Sequence, residues 1–254
     1  MTESFAMQLG MEPYETYWAR GWVAVEGIYQ PEEVDRIAEL AISIGQRQID
    51  EGTQYTVDVS PDGAQKAPRK IDNVFTVDER FQPFVLDQRL RSVVEKLIGQ
   101  RPLLFKDQLF MKPPRFGTAK PYHQDNAYFR MNPADHVITA WIALDDVDES
   151  NGCLRYIDGS HLGPILPHVM VPGEPHNQAP PAELIDLSKQ SLAVVGKGGV
   201  VFHHSKMLHT SGRNKSNQWR RGYATHWVTA DVTDETGRLA EAYFLKSEYA
   251  AMLR

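Results

Sequence analysis

The sequence predicts a mainly β fold, a sandwich or jelly roll with helices packed outside it. Two observations carry this prediction. Up to Gly99, apolar residues recur at helical spacing. After Gly99 they fall in short segments rich in Val, Ile, Phe, Tyr and Trp, separated by turn residues. A helical start followed by many short strands suits layered sheets with helices on the outside.

The elements follow in order. Trp22-Val23-Ala24-Val25, followed by Gly27, reads as a short strand. Pro31 opens a helix in which Val34, Ile37, Leu40 and Ile44 share a face. Asp87 caps a second helix carrying Leu90, Val94 and Leu97, and Gly99 closes it. Strands are expected at 103–111, 137–144, 153–157, 192–195, 199–204 and 222–230. Asn151-Gly152 reads as a hairpin turn, because both central positions of such a turn favour positive φ. Gly198-Gly199 marks another tight turn. The stretch 50–69 is polar with two prolines, and 163–190 is rich in proline with few periodic apolar residues. They read as lids or binding loops, or as plain surface connections. The expectation is one domain over 1–254, with mostly helical support and early strands in 1–100 and a jelly-roll core in 101–232.

Composition narrows the class. A chain of 254 residues, 42% hydrophobic and with net charge −6, can bury a full core and carries no basic block for a nucleic-acid partner. Cys153 is the one cysteine, which excludes an internal disulfide and thiolate-rich zinc or iron–sulfur sites. No apolar run approaches ~18 residues, so no transmembrane helix and no membrane partner are expected. Met1 to Tyr14 carries Glu3 and Glu12 and lacks the pattern of a signal peptide. The end, Met252-Leu253-Arg254, is not a peroxisomal tripeptide. A cytoplasmic protein acting on a small molecule is the expectation; the oligomeric state is left open.

Tyr122-His123-Gln124-Asp125 carries the chemistry. If it is a strand, His123 and Asp125 project to one face, about 7 Å apart at the backbone. An imidazole nitrogen and a carboxylate oxygen make two thirds of the facial triad of non-heme iron(II) sites. The third ligand is expected from His209. A hairpin centred between Asn214 and Lys215 would pair His209 directly with Arg220 and put Ser211 on the same face. That row offers a metal ligand, a hydroxyl and a guanidinium, which suits a short keto diacid: two oxygens on the metal, the far carboxylate on arginine. Arg221 would face away. His203 and His204 remain alternatives for the third ligand. His136, His161, His168, His176 and His226 are read as turn, surface or outer-shell residues. Tyr128, Phe129 and Trp227 are read either as core or as lining an apolar pocket.

These segments resemble the phytanoyl-CoA dioxygenase family of 2-oxoglutarate oxygenases. The resemblance rests on Phe110 to Pro114, Tyr122 to Asp125 with Tyr128-Phe129, Ala140 to Leu144, Asn151 to Leu154 and Gly159 to His161. It continues through Val200 to His204 and His209-x-Ser211-Gly212, with Arg220 eleven residues past His209. It implies a double-stranded β-helix, iron(II), and 2-oxoglutarate and dioxygen as co-substrates. It adds Lys70, in Arg69-Lys70-Ile71-Asp72-Asn73, and Trp141 to Ser211 and Arg220 as 2-oxoglutarate contacts. Related iron halogenases have a small residue where Asp125 stands, so hydroxylation of an unactivated C–H bond is expected, with release of succinate and carbon dioxide. Asp158 and Gly199 depart from the family pattern, both in turns. Two other classes share the fold: a cupin of another activity, such as an isomerase or a 2-oxoglutarate-independent dioxygenase, and a non-catalytic sensor. Arg220 argues against the first and the intact triad against the second.

Overall fold

The chain alternates between two antiparallel sheets, and that alternation builds the site. The structure is a computed structural model and describes residues 11–53 and 56–239. Most of both terminal stretches, and the side chain of His176, lie outside the described residues.

The first third supplies mostly support. Helix α1 (Glu12–Arg20) ends on Gly21, whose φ of 88° places it in the left-handed region. Strand β1 (Trp22–Val25) follows. Helix α2 (Pro31–Asp50) starts as predicted at Pro31, and Gln30 and Glu33 close a reciprocal cap. Val34, Ile37, Leu40 and Ile44 form its buried face. Strands β2 (Val57–Val59) and β3 (Lys66–Pro68) make a two-stranded ribbon within the first stretch read as irregular. Strand β4 (Lys70–Asp72), helix α3 (Val74–Val77) and helix α4 (Gln82–Leu86) lead to helix α5 (Gln88–Ile98). The Asp87 side chain accepts from Arg89 N, and Gly99 ends the helix, as the sequence implied.

Strands β5 (Leu103–Lys112), β6 (Lys120–His123) and β7 (Val137–Ala143) follow, with helix α6 (Asp125–Phe129) after β6. Strand β8 (Leu154–Ile157) precedes a second ribbon, β9 (Val169–Val171) with β10 (Glu174–Ala179), inside the second proline-rich stretch. Then come β11 (Gln190–Ala193), β12 (Val200–His204), β13 (His209–Ser211) and β14 (Arg220–Val228). The major sheet runs β1-β12-β7-β14-β5-β4 and the minor sheet β11-β8-β13-β6. From β5 to β8, and again from β11 to β14, each strand lies in the opposite sheet from the one before it. This is the jelly-roll fold expected.

Two sequence expectations are corrected. Strand β13 does not pair with β14: His209 lies opposite His123 and Tyr156, and Arg220 opposite Lys112. The turn between them carries the chain from one sheet to the other. Asn151-Gly152 likewise joins β7 to β8 across the sheets. Only Gly152 has positive φ, and the Asn151 side chain braces the turn by donating to Asp146 O and accepting from Asp148 N. Local spacing signals a turn in each case but does not say which sheet receives the next strand.

The period of two divides the core. Ile138, Ala140 and Ile142 of β7 face the helices, in the same apolar cluster as Val34, Ile44, Leu90 and Val94. Trp141 and Ala143 face the minor sheet, with Val201, Ala224, Leu154 and Tyr156.

Gly45 on α2 packs where a side chain would collide: a Cβ would stand 2.5 Å from Pro68 Cβ and 2.6 Å from its Cγ. Gly45→Ala would ordinarily gain about 1 kcal/mol of helix propensity. Overpacking against β3 opposes this at roughly 1–3 kcal/mol. The expected result is a lower urea midpoint and faster proteolysis around 57–68. A stabilised variant would mean that the ribbon can move off the helix at little cost.

Candidate metal centre

Three ligand atoms converge. One each from His123, Asp125 and His209 lie within 4.8 Å of one another, and all three residues are buried. His123 Nε2 is 3.7 Å and His209 Nε2 3.8 Å from Asp125 Oδ1.

Local structure explains the aim of each group. His123 closes β6, but Asp125 is not a strand residue as expected; it opens α6. Gln124 between them is extended, at φ −114° and ψ 130°, so the two side chains still converge. Its side chain donates to Lys206 O (2.7 Å) and Pro164 O (3.2 Å) and accepts from Leu166 N (2.7 Å), which fixes the link. Each imidazole lies with Nδ1 2.9 Å from a carbonyl two residues earlier, Pro121 O for His123 and Met207 O for His209. A neutral ring that donates from Nδ1 keeps the Nε2 lone pair for a metal.

The carboxylate is divided in the same way. Thr139 Oγ1 donates to Asp125 Oδ2 at 2.8 Å, and His203 Nε2 to the same oxygen at 3.0 Å. Tyr156 OH lies 2.8 Å from His203 Nδ1, which sets that ring's tautomer. Oδ1 is left facing the two imidazoles. His203 is thus hydrogen-bonded to Asp125 rather than part of the three convergent atoms, and His204 turns away to Asp135.

Electrostatics favours the metal-binding protonation states. Burial pushes His123 well below its usual pKa, with the charges of His209 and Lys120 adding to the effect. Burial takes His209 down to about 4, partly opposed by Asp125. Burial alone would raise Asp125, but His209, His203 and His226 hold it well below the carboxylate range. Neutral imidazoles and an ionised carboxylate are what a divalent cation requires.

The centre opens into a cavity of about 400 Å³ that also receives Lys70, Trp141, Ser211 and Arg220. His209, Ser211 and Arg220 thus line one cavity, but from facing sheets rather than as the cross-strand row expected. Arg220 is fully buried, and burial lowers its pKa to about 10, so it stays charged at neutral pH. Its Nη2 donates to Gly152 O (3.0 Å), its Cζ stands 5.3 Å from the Trp141 ring centroid, and its Nε has no partner among the described residues. Trp141 can lie against β14 only because of Gly222, where a Cβ would meet Trp141 Cζ2 at 1.9 Å. Lys70 holds Asp72 at 3.0 Å, and Arg221 faces away onto Asp145 (2.5 Å). Thr56 and Val57 from the first proline-bearing stretch and Asn177 from the second reach the cavity wall, as do Tyr128 and Phe129. Trp227 is core.

Three residues support the centre with no motif to mark them: Thr139, Tyr156 and Gln108, whose Oε1 lies 3.3 Å from His226 Nε2. Thr139 was within reach: it lies two residues before Trp141 and so shares its face. His226, six residues past Arg220, shares the inward face in the same way. It pairs across β7 with Thr139, whose hydroxyl lies 2.8 Å from its Nδ1.

A family model described as Phytanoyl-CoA dioxygenase (PhyH) matches residues 17–222. Phytanoyl-CoA dioxygenase, peroxisomal, of Bos taurus is 27% identical over 235 residues, covering 88% of this chain and 69% of that protein. The Homo sapiens protein of the same name is 26% identical over the same shares. Among solved structures, the non-heme monooxygenase ThoJ superposes with a TM-score of 0.71 at 22% identity, covering 87% of this chain and 78% of that one. EvdO2 from Micromonospora carbonacea var. aurantiaca, complexed with 2-oxoglutarate, gives 0.70 at 23%, covering 89% and 93%. The epimerase SnoN, in complex with Fe3+, alpha ketoglutarate and nogalamycin RO, gives 0.67 at 22%, covering 92% and 88%. At these identities the solved structures speak for the fold.

The Thr139 hydroxyl orients Asp125 through Oδ2 and leaves Oδ1 to the cluster. Thr139→Val should weaken Mn(II) binding by roughly tenfold to a hundredfold in calorimetry, the usual cost of losing an outer hydrogen bond. Unchanged affinity in a folded variant would mean that His203 alone suffices.

Proposed function

The chain belongs to the phytanoyl-CoA dioxygenase family, and on that premise we propose that it is an iron(II)- and 2-oxoglutarate-dependent oxygenase of a small molecule, working as one domain. His123, Asp125 and His209 hold the metal, and Arg220, Ser211, Trp141 and Lys70 hold the co-substrate. The observation that carries this reading is Arg220. Among the described residues Arg220 has no carboxylate partner, which is costly for a buried guanidinium, and it shares a cavity with three convergent ligand atoms. A diacid that chelates the metal and reaches Arg220 satisfies both.

Bound iron with 2-oxoglutarate and dioxygen supplies the oxidation, with succinate and carbon dioxide as co-products. The chain supplies placement. Nε2 of both histidines and Oδ1 of Asp125 take the metal, while Thr139 and His203 keep Oδ2 out of competition. A three-residue facial set leaves room on the metal for a bidentate keto acid. Arg220, braced over the Trp141 ring, takes the far carboxylate, with the Ser211 hydroxyl beside it. Lys70 contributes positive charge from β4. The ribbons β2–β3 and β9–β10 serve as lids that exclude water and shape the substrate space.

For the outcome of the reaction we favour hydroxylation, because Asp125 keeps a carboxylate on the metal. Solved relatives of similar fold include an epimerase and a carbocyclase, and product mass separates the three. Hydroxylation adds one oxygen atom, ring closure removes two hydrogens, and epimerisation leaves mass unchanged. The location proposed is cytoplasmic. Among the described residues no helix is long and apolar enough to cross a membrane, whereas the mammalian relatives are named as peroxisomal.

Two variants test the assignment. His209→Ala should abolish Mn(II) binding and succinate release; full activity would return the third ligand to His203 or His204. Arg220→Ala should lose on the order of 2–5 kcal/mol of 2-oxoglutarate binding while keeping metal affinity. An unchanged 2-oxoglutarate dependence would move the anchor to another cation.

A further inference from the structure

The cavity holds more positive charge than the metal and co-substrate use. Arg69, Lys70, Lys106, Lys112, Lys120 and Arg220 line it, against one lining carboxylate, Asp125. Three of the six are accounted for. Arg220 is assigned to 2-oxoglutarate. Lys70 holds Asp72. Lys112 is buried with its Nζ on Thr118 O (2.5 Å) and Gly212 O (2.7 Å). Iron(II) and the 2-oxoglutarate dianion cancel, and Asp125 offsets Arg220. Arg69, Lys106 and Lys120 remain, and among the described residues none of them makes an ion pair with a carboxylate.

Lys120 is the best placed of these. It lies on β6 three residues before His123, and its Nζ is 5.4 Å from the Tyr128 ring centroid. That ring stands edge-on to the His123 imidazole, centroids 5.8 Å apart. The ammonium is therefore one aromatic ring away from a metal ligand. It donates to Asn177 Oδ1 on β10, and Asn177 in turn donates to Glu174 Oε2 (2.5 Å), so a neutral amide separates the ammonium from that acid. The same cavity has apolar wall at Phe110, Phe129 and Leu154.

Resting on the iron and 2-oxoglutarate reading above, we infer that the substrate is an amphiphilic anion, and that Lys120 grips its carboxylate or phosphate group while its apolar body lies toward the metal. Burial, with the charges of Arg69 and Lys70, brings the Lys120 pKa down to about 8. An arriving anion relieves that strain, whereas a neutral ligand must displace Asn177 without compensation. Lys120 is thus a specificity-determining residue, and Asn177 on β10 holds its place until substrate arrives.

The test uses the full chain loaded with Mn(II), which blocks turnover, and saturated with 2-oxoglutarate. Benzoate, phenyl phosphate and the neutral isostere benzamide are titrated by calorimetry. At least one anion should bind roughly tenfold or more tighter than benzamide, and the stronger of the two identifies carboxylate or phosphate as the natural group. K120Q should erase the preference and K120R should keep it, with 2-oxoglutarate affinity and melting temperature unchanged in both. Equal binding of the three probes, or an undiminished preference in a folded K120Q protein, overturns the inference while leaving the 2-oxoglutarate reading intact. Failure of 2-oxoglutarate itself to bind the Mn(II) protein overturns that reading and this inference together.

Discussion

The Asp125 carboxylate is a buried anion at the meeting of the two sheets, and the architecture around it follows from what such a charge requires. A carboxylate taken out of water needs hydrogen bonds and a counter-charge. The major sheet supplies the first: Thr139 from β7 and His203 from β12 both reach Oδ2. The minor sheet supplies two neutral imidazoles, which bring lone pairs but no charge. Oδ1 thus faces an electron-rich corner, and a divalent cation is what balances it. Asp125 thus stands between hydrogen bonds from the major sheet and the two imidazoles of the minor one, and the contact of Tyr156 OH with His203 Nδ1 ties the sheets directly.

That constraint explains why polar residues stand in a row across an otherwise apolar inner face. His203, Thr139 and His226 are cross-strand neighbours on β12, β7 and β14. The next row, Val201, Trp141 and Ala224, is apolar. Beyond it Gly222 makes room for the Trp141 indole, and Arg220 lies against that ring. Successive rows of one sheet therefore brace Asp125, shape the floor and place the Arg220 cation. On its other face the same strands bury Ile138, Ala140 and Ile142 under the helices, so the inner rows have little freedom to shift.

Much of this was legible in the sequence, because it depends on short-range spacing. The helix caps at Pro31, Asp87 and Gly99 and most strand positions follow from local periodicity, whereas His209 and Arg220 rested on a hairpin that the fold does not contain and on the resemblance. The misreadings share one cause. A three-residue strand such as β13 carries no pattern that says which sheet it joins, so a nearby turn reads as a hairpin. Asp125 at the start of a helix, rather than in a strand, is a similar case: one extended residue, Gln124, gives the same convergence as a strand would. Tyr156 and Gln108 had no local signal, since their partners His203 and His226 lie 47 and 118 residues away. Lys120 carries no local signal either: its hydrogen bond to Asn177 on β10 is what sets it into the cavity wall.

The placement of β13 and β14 in different sheets has a mechanical consequence. On the proposed reading, 2-oxoglutarate is tied through the metal to the minor sheet at one end and to Arg220 of the major sheet at the other. It is then a crossbar between two walls, set apart at the roughly 10 Å usual for stacked sheets. The width of the slot, more than any one side chain, becomes the gauge for diacid length. A shorter diacid touches a single wall, and a longer one has to wedge the walls apart against the packing behind them. A series of keto diacids differing by one methylene would read that width directly as a peak in thermal stabilisation.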